Sequence, residues 1–135
     1  MPRIDIPPSA ASVAAVRHAL AEALQPVGTV DSVADAALVL SELVSNAVRH
    51  AHPLPGNGLL IDWHLEDSGH TVVIAVTDGA FDAEPRPRAA TPGHDSGRGL
   101  SIVSTLASDW GVRTTEHDKT VWARVILRDP LAHLQ

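Results

Sequence analysis

Glu42, Asn46 and Arg49 lie in "LVLSELVSNAVRHAH", residues 38–52, a stretch that is otherwise largely apolar. A carboxylate can activate a water or a hydroxyl group. An amide oxygen is a hard ligand for Mg²⁺, and a guanidinium can meet phosphate oxygens. At about 100° per residue, these three side chains and Asp35 share one sector of a helix, with His50 at its edge. The opposite arc of roughly 140° holds Ala36, Ala37, Leu40, Leu43, Val44, Ala47, Val48 and Ala51, which is wide enough for a core-facing stripe. The plain alternative is a Glu–Asn–Arg ladder on a solvated surface. Leu38 and Val39 share the polar sector, however, which marks it as a face over which something packs.

Two further groups carry chemistry. "VVIAVTDGAF" ends a buried-type strand in Asp78, followed by Gly79. An Asp there either accepts a hydrogen bond from an adenine amino group or simply begins a turn. "SGRGLSIV" sets Gly97 and Gly99 immediately before a helix, where backbone N–H groups can approach a ligand and the helix N-terminus favours anions. A lone G-x-G is equally compatible with a capped loop.

The elements that must position these groups follow from periodicity. "PPSAASVAAVRHALAEAL" reads as a helix with Val13, Val16, Leu20 and Leu24 at helical spacing, after which Pro26 and Gly28 interrupt. "TVDSVADAALVLSELVSNAVRHA" restarts the helix and ends before Pro53. "LLIDWHLE" alternates as a half-buried strand, "DSGH" turns the chain, and "TVVIAVTD" has the β-branched character of a central strand. Residues 79–98 form a proline- and glycine-rich loop, a length that is usually functional. "GLSIVSTLASDW" returns to helical spacing, and "GVRTTEHDKTVWARVILRD" reads as a hairpin turning near His117–Lys119. The order α-α-β-β-loop-α-β-β predicts one α+β domain over residues 1–135. It is a two-layer sandwich with helices on one face of a mostly antiparallel mixed sheet.

Composition narrows the function. The chain has 135 residues, a net charge of −6 and no cysteine. The acidic balance argues against a broad phosphate-binding or nucleic-acid surface, and there is no disulfide framework or thiolate metal site. No apolar run reaches the roughly 20 residues that span a bilayer, and no signal pattern opens the chain, so a cytoplasmic, non-membrane protein is expected. Eight histidines are present, but His50 and His52 point apart on a helix by about 200°. Neither a metalloprotease pattern nor a G-x-S-x-G elbow occurs.

Taken in order, E-x-x-x-N on a helix, D-G after a strand and G-x-G-L opening a helix resemble the GHKL (histidine-kinase-like) ATPase superfamily. Within it, the chain is similar to the small anti-sigma factors with serine-protein-kinase activity. The resemblance runs from "IDIPPSAASVAAVRHAL" through "ELVSNAVRHA" and "SGRGLSIVSTLASDWGV" to "KTVWARVIL". It implies the histidine-kinase-like ATPase fold, with ATP and Mg²⁺ as ligands and residues 79–98 as an ATP lid. Glu42 would be the general base, Asn46 the Mg²⁺ ligand, and Arg49 and His50 would approach phosphates or ribose. Asp78, followed by Gly79, would recognise the adenine amino group. Gly97, Arg98, Gly99 and Leu100 would form the phosphate-side glycine box, and Thr120 would lie near adenine and Asp78. The family's first glycine box usually reads D-x-G-x-G, whereas this chain has Asp78-Gly79-Ala80-Phe81. Adenine binding is still expected, at reduced strength.

The function implied is phosphorylation of a serine or threonine on an anti-anti-sigma partner, alternating with capture of a sigma factor. A homodimer is suggested. The rival is an ATP-binding interaction module without catalysis, against which Glu42 argues, since binding alone needs no base. A sensor-kinase fragment fits less well, because no phosphoacceptor histidine hairpin precedes the first helix.

Overall fold

The computed structural model describes residues 3–6, 10–49, 58–79 and 95–128, with side chains for 11–49, 58–79 and 101–128. Strand β1 (Arg3–Ile6) comes first, then helices α1 (Ala10–Leu24) and α2 (Val30–Arg49). Strands β2 (Leu59–Glu66) and β3 (Thr71–Asp78) follow. Helix α3 (Asp95–Leu106) and strands β4 (Asp109–Thr114) and β5 (Lys119–Ile126) complete the order. The strands form one sheet in the order β1-β2-β3-β5-β4. Every described pairing is antiparallel, so the parallel element implied by a mixed sheet does not occur among them.

Helix α1 buries Val16, Leu20 and Leu24 at a four-residue spacing, so one stripe faces inward. It stops where the N–H groups of Val27 and Gly28 both return to the carbonyl of Leu24. Gly28 sits in a tight corner there: a Cβ would lie 3.0 Å from Ser32 Oγ and Val33 Cγ2, and those side chains would have to shift slightly to admit it. Thr29 then caps α2, its Oγ1 accepting from the Ser32 N–H at 3.2 Å. Helix α2 touches α1, α3, β3 and β5. Leu40, Leu43 and Val44 are almost completely buried against a sheet layer of Ile61, Val72, Ile74, Ala123 and Val125. Each such large side chain contributes roughly 1.5–3 kcal/mol relative to exposure.

Alternation assigns the two faces of the sheet. Val72, Ile74, Val76 and Asp78 of β3 face the helices, as do Val121, Ala123 and Val125 of β5, and all are buried. The other face carries Thr77, Thr120, Trp122 and Arg124. There, Arg124 Nε donates to Glu66 Oε1 at 2.9 Å and its guanidinium lies 5.3 Å from the centre of the Trp122 ring. Gly111 makes room for that ring, since a Cβ would come within 2.8 Å of it. The β2–β3 connection is a tight turn at Asp67–Gly69, closed by the His70 N–H donating to the Asp67 carbonyl. All three of its residues have positive φ (54°, 56° and 89°), which explains a glycine at its end.

Three boundaries depart from expectation. β1 is a strand paired with β2 rather than an unassigned lead-in. Helix α3 begins before Gly97 and ends at Leu106, and Asp109 and Trp110 belong to β4. The β4–β5 turn closes by the Thr115 N–H donating to the Asp118 carbonyl at 2.8 Å.

The hydrogen bond from Arg124 is the main cause holding the Glu66 carboxyl below its ordinary value near 4.5, with His64 adding to it. A depressed folded pKa means that this contribution is present above the ordinary value and is lost as pH falls through the lower folded one. Arg124→Met should therefore raise the Glu66 titration midpoint, followed by side-chain carboxyl NMR, towards that of an unpaired glutamate.

Candidate functional site

Contacts at one end of the molecule fix where the other end must be. Ser32 and Asp35 of α2, Leu106 and Ala107 at the end of α3, and Val125, Ile126 and Arg128 at the end of β5 line a cleft of about 340 Å³. The Thr29 N–H also donates to the Arg128 carbonyl at 2.9 Å. The start of α2 therefore lies beside the ends of α3 and β5. Since α2 and α3 pack side by side, they run antiparallel.

From Ser32 to Asn46, α2 advances about 21 Å, and α3 covers about 16.5 Å from its end back to Asp95. The N-terminus of α3 is thus level with Glu42 and Asn46. Strand β5 begins at the same end, with Lys119, which is paired with Asp78 at the end of β3. The cleft lies at the opposite end from these groups.

Asn46 has the sharpest local geometry. Its Oδ1 is buried and accepts no hydrogen bond, a state that costs roughly 1–3 kcal/mol when nothing compensates it. A hard amide oxygen in that condition suits a cation such as Mg²⁺, which commonly takes only one or two protein ligands beside phosphate oxygens. Among the described residues, no group of three His, Asp or Glu side chains could form a metal cage. Glu42 is half-buried one turn earlier on the same line, and Arg49 is exposed at the last residue of α2. His50 lies outside the described residues.

The mixed character of this α2 face has a cause. Val39 is fully buried and joins the same core as Val103 of α3, whereas Leu38 is 41% exposed. Helix α3 covers one side of the sector and leaves the other open.

Asp78 is a carboxylate at 2% exposure, in register with the buried helix-facing positions of β3. Gly79 follows it, half-buried. Gly97 falls in the first turn of α3, where N–H groups lack intrahelical partners, and Gly99 in the second. For Gly97, Arg98, Gly99 and Leu100 the described part is this helical backbone. Of the expected lid, residues 80–94 lie outside the described residues.

Thr120 is not brought to this group. It pairs with Thr77, and their hydroxyls are 2.7 Å apart on the open face of the sheet. The residue sharing Asp78's face is Lys119, which sequence reasoning missed. The signal was the two-residue alternation of "KTVWARVI" with its buried Val121, Ala123 and Val125.

The model of a family described as "Histidine kinase-like ATPase domain" matches residues 6–125. The chain belongs to that family. A histidine kinase-like ATPase fold also appears in the crystal structure of the RsbU and RsbW domains of Rv1364c from Mycobacterium tuberculosis, with a TM-score of 0.68. The sequence identity is 21%, and the match covers 94% of this chain but 33% of that one. No curated protein matches the sequence. Family membership implies an adenine nucleotide as ligand. Asn46, Asp78 and the α3 N-terminus lie together at one end of the molecule.

Removing an unpaired buried carbonyl forfeits no hydrogen bond. Asn46→Ala should leave the melting temperature of the ligand-free protein unchanged or slightly higher. It should also abolish the extra thermal stabilisation that Mg·ATP gives the wild type, read by calorimetric melting with and without nucleotide.

Proposed function

We propose that the protein is an ATP-dependent serine/threonine kinase of the anti-sigma-factor type, acting on an anti-anti-sigma partner. The observation that carries this reading is the alignment of Glu42 with the orphaned Asn46 oxygen on α2. A general base one helical turn from a cation ligand can address a hydroxyl directed at a terminal phosphate. The location beside a helix N-terminus supplies backbone donors for phosphate oxygens. The likeness to a structure containing an RsbW domain supports the regulatory class.

ATP is the substrate at this site. Asp78 accepts a hydrogen bond from the adenine amino group, and the buried walls of α2 and β3 exclude water from the base. Asn46 Oδ1 would hold Mg²⁺, which would supply positive charge to offset that of the phosphate groups. Glu42 takes the proton from the partner's serine or threonine hydroxyl. The hydroxyl oxygen forms a bond to the γ-phosphorus as the bond from that phosphorus to the β,γ-bridging oxygen breaks, and ADP leaves. Backbone N–H groups at Gly97–Gly99 and the Arg49 guanidinium stabilise the charge that spreads over the transferred group. The new phosphate adds charge to the partner and drives it off, which frees this protein to hold a sigma factor. A homodimer and a cytoplasmic setting accompany this reading.

The departure at Asp78-Gly79-Ala80-Phe81 favours the second reading, a non-catalytic ATP-binding module that sequesters a partner. The two separate cleanly. Glu42→Gln should bind ATP with wild-type affinity yet transfer labelled phosphate to anti-anti-sigma substrates at least about a hundredfold more slowly. Wild-type protein that binds ATP but labels no partner would establish the silent module instead.

A further inference from the structure

The position facing Asp78 carries a cation. Asp78 and Lys119 are direct partners in the β3–β5 register, so both side chains leave the sheet on the helix-covered face. Directly opposed residues have Cβ atoms about 4.5–5.5 Å apart, well within the reach of a lysine stem. Lys119 is half-buried, and Asp78 is 2% exposed. The neighbouring pair, Thr77 and Thr120, takes the other face with its hydroxyls 2.7 Å apart, which confirms the alternation.

An ammonium group carries three donors and no acceptor. Beside a carboxylate it can donate once to that carboxylate and still offer a proton to a ligand. The register therefore allows the pair to present an acceptor and a donor together at the strand ends. The Watson–Crick edge of adenine presents the complement: a 6-amino donor next to the N1 acceptor.

We infer that Lys119 is a base-reading residue, donating to adenine N1 while Asp78 accepts from the 6-amino group. This rests on the adenine-nucleotide reading of the site and adds to it a specificity determinant. Two adjacent, opposite hydrogen-bond demands reject a base that satisfies only one of them, because the unmet buried group then loses its partner. With Lys119 supplying the second demand, base recognition does not need a hydroxyl at position 120.

The test is a cycle of two proteins and two nucleotides. ATP and 1-deaza-ATP, in which N1 is replaced by a C–H group, are titrated calorimetrically into the wild type and into Lys119→Met. The methionine preserves an apolar stem of similar length, and circular-dichroism melting checks the fold. Wild type should prefer ATP over 1-deaza-ATP by about tenfold, the size expected for one hydrogen bond to a charged group. Lys119→Met should lose about tenfold for ATP and nothing for 1-deaza-ATP. Equal losses for both nucleotides, or no loss for either, would overturn the assignment to N1 while leaving the nucleotide site intact. A wild type that binds neither nucleotide overturns the adenine reading, and this inference with it.

Discussion

Helix α2 is held on three sides, and the remainder of the structure follows from that burial. Leu40, Leu43 and Val44 seat it on the sheet, α1 lies along one flank and α3 along the other. A helix packed this way cannot rotate without pulling large apolar side chains into water. The line through Glu42 and Asn46 is consequently fixed in direction, although nothing in that line pays for its own placement. The unpaired Asn46 oxygen is tolerated because the surrounding core stabilises the helix by far more than one orphaned carbonyl costs.

The second constraint is the parity of the sheet. One face packs on the helices and the other is open, and a shift of a single residue moves a side chain from one to the other. Asp78 sits on the helix side because Val72, Ile74 and Val76 do. Thr77 and Thr120 are on the open side with the Glu66–Arg124 pair and Trp122. Antiparallel pairing then brings the end of β3 and the beginning of β5 to the same edge, where α3 also starts. The same antiparallel run places the cleft of Ser32, Leu106 and Arg128 at the far end from Asn46 and Asp78.

Much of this was legible in the sequence. The long amphipathic pattern gave α2 and its apolar arc, and the alternating "LLIDWHLE" and β-branched "TVVIAVTD" matched β2 and β3 to the residue. The mixed face of α2 was visible as an oddity, but only the position of α3 explains why Val39 is buried and Leu38 is not. β1 escaped notice because four residues beside two prolines carry too little periodicity. Asp109 and Trp110 continued the spacing of α3, and only their pairing with β5 assigns them to a strand. Thr120 was matched by its place in a motif, and motif position does not reveal parity. Its neighbour Lys119 went unnoticed because cross-strand register is a property of two segments together.

The central claim is that an adenine nucleotide lies on the helix-covered side of the sheet, spanning from Asp78 to Asn46. A crystal structure of the protein with Mg²⁺ and a non-hydrolysable ATP analogue tests it most directly. The account predicts the base against Asp78 and Lys119, and the metal within coordination distance of Asn46 Oδ1. Nucleotide bound on the open face beside Thr77, Thr120 and Trp122, or in the cleft at the far end of α2, would contradict it.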